Sequence, residues 1–260
     1  MKAKYRALLV DLDGVVWLGG EPIQDNVDGL KRLQSRVNLF FITNNSTRSR
    51  RVYREMLNRL GINVDVENII NSGYAVSKWL RDRYGSLHVY TIGGPGLIEE
   101  LSLQGHTILS QVESHMAEAV VVGLDHDLNY AKLKAALRAL SRGALFIATN
   151  TDHAIPTRDG IEPGAGSIVA LLERALGRKI DFDAGKPNTL MLELAVERLG
   201  GLDRGSIAVI GDRIDTDMEM ARRAGVDGFL VQTGMGSTYD RYPGWVRVIR
   251  SINELADKLI

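Results

Sequence analysis

Residues 7–14 read Ala-Leu-Leu-Val-Asp-Leu-Asp-Gly, an apolar run that ends in two carboxylates two residues apart. The apolar residues predict a buried strand over 7–11, and at its end Asp11 and Asp13 can converge on a single point. Two acids crowded at a strand end repel each other, so they need a cation, a shared proton or a chemical role. A turn or a helix cap also uses aspartate, and the pair alone leaves that alternative open.

The composition excludes cysteine-based sites and gives no support for two classes of partner. The chain has 260 residues, 32 basic and 32 acidic side chains, and no cysteine. Zero net charge gives no electrostatic reason to expect nucleic acid or an anionic membrane as a partner. Without cysteine, disulfides, thiolate metal sites and cysteine nucleophiles are excluded. Since no apolar stretch is long enough for a secretory signal or a membrane span, we expect a cytoplasmic protein.

Short apolar strands alternate with amphipathic helical stretches along almost the whole chain. This alternation predicts an α/β fold with a doubly wound, Rossmann-like parallel sheet, whose ligands bind outside the carboxyl ends of the strands. Strands that end in acids lie near both ends of the chain, and the middle is a separate run of strands and helices. We therefore expect a catalytic core of residues 1–76 and 184–260, with an inserted α/β cap domain of residues 77–183.

The individual elements are predicted from the apolar periodicity. The predicted strands are 7–11, 37–43, 88–92, 119–124, 144–149, 206–210, 228–231 and 246–249. The predicted helices are 27–35, 50–60, 74–84, 97–104, 130–141, 167–176, 189–199 and 217–224.

A second apolar strand ends in acids towards the other end of the chain. Residues 207–217 read Ile-Ala-Val-Ile-Gly-Asp-Arg-Ile-Asp-Thr-Asp, so Asp212 follows its strand as the first acid pair does. Thr216 and Glu219 have capping-box spacing, which predicts Asp217 in the first helical turn, where an acid also favours the helix dipole. Several carboxylates at one sheet edge concentrate negative charge that a divalent cation would neutralise. Oxygen ligands favour Mg²⁺ over zinc. Because Mg²⁺ prefers a coordination shell that includes water and phosphate oxygens, the pattern indicates a phosphorylated substrate.

Two further segments have the chemistry to bind an anion. An apolar strand runs into Thr43, Asn44 and Asn45, and a hydroxyl with backbone N–H groups before a helix can bind phosphate. These residues are also ordinary helix caps, so this segment alone leaves both interpretations open. Lys186 lies in a Gly-Lys-Pro turn that could place its ammonium over an anion, although a surface lysine is the simpler interpretation.

Taken in order, four motifs resemble those of the haloacid dehalogenase superfamily. They are Asp-x-Asp-Gly at 11–14, Thr-Asn-Asn at 43–45, Gly-Lys-Pro at 185–187 and Gly-Asp-Arg-x-x-Thr-Asp at 211–217. More narrowly, the chain resembles the NagD-like, para-nitrophenyl phosphatase branch (subclass IIA). In that branch an α/β cap domain of the C2 type, subtype A, is inserted between the second and third motifs. Shorter matches to that branch include Trp-Leu-Gly-Gly at 17–20 and Pro-Gly-Ala-Gly-Ser at 163–167.

The resemblance implies a Mg²⁺-dependent phosphatase that hydrolyses small phosphomonoesters through an aspartyl-phosphate intermediate. Asp11 would be the nucleophile that attacks phosphorus. Asp13 would protonate the leaving oxygen and then accept a proton from the attacking water. The second acid separates phosphatases from dehalogenases in this superfamily, because an alkoxide needs a proton to leave and a halide does not. The presence of Asp13 therefore disfavours dehalogenation.

The remaining roles are also carried over from the resemblance, one residue at a time. Lys186 would balance charge and orient Asp11. The phosphoryl oxygens would be bound by Thr43, by the amides near Asn44 and Asn45, and by Lys186. The Mg²⁺ ligands would be Asp11, the backbone carbonyl of Asp13, and Asp212, with Asp217 acting through water or through a neighbouring ligand.

Two alternative functions stay open at this point. The first is a phosphotransferase or mutase on the same scaffold, in which the aspartyl phosphate passes to an acceptor other than water. The second is a non-catalytic phosphometabolite-binding protein, which would be expected to lack Asp11 or Asp13. In each case the partner is a small phosphorylated metabolite, such as a sugar phosphate, a nucleotide or phosphoglycolate, and the protein is a monomer or a homodimer.

Overall fold

The strand Ala7–Asp11 lies at the centre of a six-stranded sheet in the computed structural model, which describes residues 4–157 and 160–259. Its five residues are all buried, as expected of a parallel strand that is covered on both faces. Parallel pairing sets Val10 opposite Ile210 on one side and Asp11 opposite Ile42 on the other. The carboxyl ends of three adjacent strands therefore meet at one edge of the sheet. The strands in spatial order are Arg247–Ile249, Asp227–Val231, Ile207–Gly211, Ala7–Asp11, Asn38–Thr43 and Ile69–Asn71.

The strand order reverses beside the central strand. From Ala7–Asp11 the chain adds Asn38–Thr43 and then Ile69–Asn71 on one side, and it later returns with Ile207–Gly211 on the other side. Doubly wound sheets bind their ligands at such a switch point, outside the carboxyl ends of the strands. The two strands that were predicted to end in acids are therefore neighbours at the position where a ligand is expected.

The chain divides into two compact units, each with an apolar core of its own. The first unit consists of the residues up to Thr43, of Arg51–Ile70 and of the residues from Lys186 onward. The second consists of Asn44–Arg50 and Asn71–Gly185 and contains a five-stranded parallel sheet. In spatial order, the strands of this second sheet are Phe182–Asp183, Leu145–Ala148, Ala119–Val122, His88–Ile92 and Thr107–Leu109. The predicted fold class, α/β with a parallel-sheet core and a second α/β part, is confirmed.

Helices connect the strands, and two of these helices have an asparagine as their N-cap. Asn71 accepts a hydrogen bond from the Tyr74 backbone N–H at 2.7 Å, and Asn129 accepts one from the Lys132 N–H at 3.1 Å. None of the described helices is both long and apolar enough to cross a membrane. The helices are Gln24–Leu33, Arg50–Arg59, Ser72–Tyr84, Pro95–Leu103, Tyr130–Leu140, Ala165–Leu176, Leu190–Arg198, Glu219–Ala224 and Ile252–Leu259.

All predicted strands and helices are present, with ends displaced by at most three residues. The structure adds three short strands, the helix Ile252–Leu259 and two antiparallel hairpins. The added strands are Ile69–Asn71, Thr107–Leu109 and Phe182–Asp183, and the hairpins pair Trp17–Leu18 with Glu21–Pro22 and Ala154–Thr157 with Gly160–Pro163. Strands of two or three residues are too short to produce a periodic apolar signal.

A buried asparagine joins three segments of the first unit. Asn26 is completely buried; it donates a hydrogen bond to the Val15 carbonyl at 2.8 Å and accepts one from the Ile252 backbone N–H at 2.8 Å. Val15 follows the first acid pair, and Ile252 begins the last helix. This side chain therefore fixes the loop after the acids to the C-terminal helix.

Replacing Asn26 by alanine would remove these two hydrogen bonds from the core, together with a longer one of 3.4 Å from Asn26 Nδ2 to Thr233 Oγ1. Because a buried backbone group without a partner costs about 1–3 kcal/mol, we expect Asn26→Ala to lower the free energy of unfolding by roughly 2–4 kcal/mol. Chemical denaturation followed by circular dichroism measures this loss. The matched control is Asn253→Ala, since Asn253 bonds to Arg32 and Asp25 at the surface. Equal losses in the two variants would contradict the assignment.

Candidate active site

Three carboxylates and one ammonium lie together at the carboxyl edge of the six-stranded sheet. Lys186 Nζ is 2.5 Å from Asp11 Oδ1 and 2.7 Å from Asp217 Oδ1. Asp11, Asp212 and Asp217 each place a carboxylate oxygen within 4.8 Å of the other two. All four side chains are buried, with only 4% of Lys186 exposed. One ammonium does not neutralise three buried carboxylates, so the cluster has unbalanced negative charge.

The ionisation of these groups reflects that imbalance. Burial raises the pKa of Asp11 well above its usual value, and the neighbouring acids raise it further, although Lys186 opposes them. Burial, together with Asp217, raises the pKa of Asp212 to about 7. Burial alone would lower the pKa of Lys186, but the carboxylates of Asp11 and Asp217 raise it above its usual value. The lysine therefore stays charged, and the acids are left to bind either a proton or a cation.

The donor atoms suit a hard divalent cation. Mg²⁺ prefers carboxylate and carbonyl oxygens and is usually bound by only a few protein ligands. Asp11, Asp212 and Asp217 supply such oxygens, and the chain contains no cysteine that would favour a softer metal. Among the described residues, this group does not include the carboxylate of Asp13, whose predicted metal contact is through its backbone carbonyl.

Asp212 is held by tight backbone contacts. Met235 donates its backbone N–H to Asp212 Oδ2 at 2.7 Å. Gly14 and Gly234 have positive φ angles of 85° and 51°, and a Cβ atom at either position would collide with the same carboxylate oxygen. Thr233 Oγ1 donates to the Gly14 carbonyl at 2.7 Å and so fastens the two glycine loops together. Glycine is required at both positions by conformation and by space.

Asp217 lies in a π-helical turn, and the prediction of a capping box was wrong. The turn spans Ile214–Met218, and the α-helix begins only at Glu219. Asp217 Oδ2 accepts a hydrogen bond from the Arg213 backbone N–H at 3.2 Å, and the Thr216 hydroxyl lies 3.5 Å from the same oxygen. The threonine thus contacts the acid and does not cap the helix. Single π-helical turns of this kind are frequent at functional sites.

Asp13 has surroundings different from those of Asp11. Its side chain is exposed, whereas Asp11 is buried against Lys186. The indole Nε1 of Trp17 donates to Asp13 Oδ1 at 2.9 Å, and the buried Thr43 hydroxyl lies 3.5 Å from Oδ2. The structure therefore brings six predicted residues to one edge of the first unit. They are Asp11, Asp13, Thr43, Lys186, Asp212 and Asp217.

Asn44 and Asn45 follow Thr43 in the chain but belong to the second compact unit. Asn44 Nδ2 donates to Asp152 Oδ2 at 2.8 Å. Asn45 Oδ1 accepts hydrogen bonds from the Thr47 backbone N–H at 3.1 Å and from its hydroxyl at 2.6 Å. These side chains thus stabilise the turn that begins the second unit, and phosphate binding by their amides stays a prediction.

Comparison with known proteins identifies the family. A family model described as a haloacid dehalogenase-like hydrolase matches residues 8–107, and a HAD-hydrolase-like model matches residues 183–255. An acid sugar phosphatase from Staphylococcus aureus is 34% identical over 242 residues, which cover 91% of this chain and 90% of that protein. The chain belongs to the haloacid dehalogenase-like hydrolases.

Solved structures narrow the position within this family. The p-nitrophenyl phosphatase from Archaeoglobus fulgidus superimposes with a TM-score of 0.89 at 35% identity, over 98% of this chain and 99% of that chain. The 4-nitrophenylphosphatase from Thermotoga maritima also has a TM-score of 0.89, at 30% identity, over 99% and 98% of the two chains. The predicted assignment to a NagD-like, p-nitrophenyl phosphatase branch of haloacid dehalogenase-like enzymes is confirmed.

Two contacts of this haloacid dehalogenase-like site were missed in the sequence. The first is the hydrogen bond from Trp17 to Asp13, although the Trp-Leu-Gly-Gly segment that contains Trp17 resembles the branch. The second is the loop with Thr233 and Gly234 that holds Asp212. A signal for this loop was present, because it follows a parallel strand that ends at the same sheet edge as the acids.

The raised pKa of Asp212 predicts a fall in stability with pH when metal is removed. The folded chain keeps the Asp212 proton up to about pH 7, whereas an unfolded chain loses it near about pH 4. Because the folded state then binds more protons, its stability decreases as the pH rises from about 5 to 8. Asp11 contributes in the same direction. We expect the melting temperature in chelator to fall over this range, and to fall less in Asp212→Asn.

The matched control for this measurement is Asp215→Asn. Asp215 is close in sequence, but its side chain is 61% exposed and pairs with Arg213. This variant should keep the pH dependence of the parent protein. A melting temperature that rises from pH 5 to 8 in chelator, or equal slopes in Asp212→Asn and the parent, would contradict the electrostatic argument.

Proposed function

We propose that this haloacid dehalogenase-like chain is a Mg²⁺-dependent phosphatase that hydrolyses small phosphorylated metabolites through an aspartyl-phosphate intermediate. The observation that carries the proposal is the buried Asp11 carboxylate, which is paired with Lys186 at 2.5 Å beside two further acids. A carboxylate can attack a phosphate ester only if the repulsion between the two anions is offset. The lysine provides part of that compensation and holds the nucleophile in place.

In the first step, an Asp11 carboxylate oxygen forms a bond to phosphorus as the bond to the leaving oxygen breaks. The leaving oxygen takes the electron pair of that bond and a proton from the Asp13 carboxyl group. Asp13 suits this role because its side chain is exposed, whereas Asp11 is buried with its counter-ion. Thr43, buried beside Asp13, would bind a phosphoryl oxygen through its hydroxyl.

In the second step, water attacks the phosphorus of the aspartyl phosphate. Asp13, now a carboxylate, accepts the proton of the water, and the bond between Asp11 and phosphorus breaks to release inorganic phosphate. Dividing the displacement in this way replaces one difficult step by two easier ones. Each residue thereby returns to its starting protonation state.

Mg²⁺ would be held by Asp11, the Asp13 backbone carbonyl and Asp212, with Asp217 supporting them through its contacts with Lys186 and Arg213. When bound, it would supply positive charge that draws the phosphoryl group towards the nucleophile. The unbalanced charge of the three buried acids supports this assignment, because a divalent cation removes it.

We also propose that the inserted second unit acts as the cap, for which residues 77–183 were predicted. In this role it would exclude water during the chemical steps and supply the contacts that select the substrate. The name of the Staphylococcus aureus relative makes sugar phosphates the first substrate class to screen. A cytoplasmic location and a monomeric or homodimeric state stay predictions.

Replacing the nucleophile tests the mechanism directly. Asp11→Asn should reduce the turnover of p-nitrophenyl phosphate by at least roughly a thousandfold, because covalent catalysis is lost. The variant should keep its fold, since removing one of three buried like charges relieves repulsion. Asp215→Asn is the control and should retain activity. Wild-type turnover by Asp11→Asn, in protein purified free of contaminating phosphatase, would overturn the proposal.

Removing the metal tests the cation assignment. We expect EDTA to abolish phosphatase activity and added Mg²⁺ to restore it, because three clustered carboxylates oppose a phosphate dianion without a cation. Binding also has a readout independent of activity: Mg²⁺ should raise the melting temperature of the parent protein but not that of Asp212→Asn. Full activity in chelator, with the absence of metal verified, would refute the assignment.

Adding methanol to the assay separates hydrolysis from phosphotransfer. A phosphatase releases inorganic phosphate as the main product, whereas a phosphotransferase or mutase passes the phosphoryl group to the added acceptor. Methyl phosphate as the dominant product at low methanol concentration would favour the transferase alternative.

A further inference from the structure

We propose that Trp17 is a positioning residue that aims the Asp13 carboxyl group for proton transfer, an inference that rests on the phosphatase mechanism proposed above. The indole Nε1 donates a hydrogen bond to Asp13 Oδ1 at 2.9 Å. Trp17 is only 3% exposed, whereas Asp13 is open to solvent. The buried indole N–H of Trp17 thus has the exposed Asp13 carboxylate as its hydrogen-bond partner and restrains it.

The position of Trp17 is itself tightly set by its neighbours. Its ring stacks on the completely buried Tyr53, with ring centroids 6.2 Å apart and planes within 7° of parallel. Its carbonyl accepts a hydrogen bond from the Gly14 N–H at 2.7 Å, and its own N–H donates to the Leu12 carbonyl at 3.3 Å. Side chain and backbone together close a short loop around Asp13, so the indole is a rigid reference point for this acid.

This contact makes the two oxygens of Asp13 inequivalent. Oδ1 accepts the indole hydrogen bond, and Oδ2 points towards the hydroxyl of Thr43, 3.5 Å away. Thr43 is the residue expected to bind the phosphoryl group, so Oδ2 lies on the substrate side. The proton that moves to the leaving oxygen in the first step, and from water in the second, is therefore carried by Oδ2.

A purely structural role for Trp17 makes a different prediction from a positioning role. Loss of packing would reduce the reaction of all substrates by a similar factor. A misoriented Asp13 carboxyl group would mainly slow the reaction of substrates whose leaving oxygen needs a proton. Phenyl phosphate is such a substrate, because phenolate leaves less readily as an anion than p-nitrophenolate does. The dependence of kcat/KM on the leaving group therefore distinguishes the two roles, since kcat/KM reports the first step.

The test compares Trp17→Phe with the parent protein on a series of aryl phosphates from p-nitrophenyl phosphate to phenyl phosphate, with Mg²⁺ present. General acid catalysis contributes about 10²–10⁴-fold, so we expect kcat/KM for phenyl phosphate to fall roughly tenfold further than that for p-nitrophenyl phosphate. Equal losses across the series would overturn the proposal. A parent protein that is inactive on all esters would refute the phosphatase function, which is a separate and recognisable result.

Two further variants keep the result interpretable. Trp245→Phe makes the same change at a tryptophan that is 48% exposed, and it should leave the leaving-group dependence unaltered. Site-specific incorporation of β-(3-benzothienyl)alanine at position 17 keeps the shape of the indole ring and removes only its N–H. This variant should reproduce the selective loss even if Trp17→Phe folds poorly. Parent-like behaviour of the benzothienyl variant would overturn the proposal.

Discussion

The site depends on one interaction, the contact of the Lys186 ammonium with buried carboxylates. Without it, Asp11, Asp212 and Asp217 would place three like charges within 4.8 Å of one another inside the protein. The lysine lowers this repulsion but does not remove it. Burial and the remaining repulsion together raise the pKa values of Asp11 and Asp212. The same imbalance of charge supports the proposed Mg²⁺ site, because a divalent cation would remove it.

The topology of the sheet explains why these residues meet. The central strand Ala7–Asp11 and its neighbour Ile207–Gly211 come from opposite ends of the chain, yet they pair in parallel at the switch point. Their carboxyl ends must therefore open onto the same crevice. Glycines at positions 14 and 234 then let the backbone approach Asp212 closely enough to hold it. The grouping of the acids thus follows from the strand order, and the position of Asp212 follows from the space that the two glycines leave for the backbone.

Much of this arrangement could be read from the sequence, because its signals are local. An apolar strand that ends in an acid is visible at Asp11 and at Asp212, and parallel strands bring such ends together. The hydrogen bond between Trp17 and Asp13 could not be read in this way, because it depends on how a four-residue loop folds back on itself. The π-helical turn at Asp217 was missed for a related reason: contacts with its neighbours outweigh the local capping preference. Local patterns predicted which residues gather, and tertiary contacts decided how each is held.

Lys186 is also notable for when it becomes available during synthesis. It is separated from Asp11 by 175 positions, and it directly follows Gly185, the last residue of the second unit. A ribosome therefore releases the Asp11 carboxylate long before the Lys186 ammonium, and Asp212 and Asp217 emerge later still. A nascent or truncated chain that ends before residue 186 contains Asp11 but none of these three residues. Under the proposed mechanism, such a chain would have the nucleophile without its counter-ion, so catalysis would require translation past residue 186.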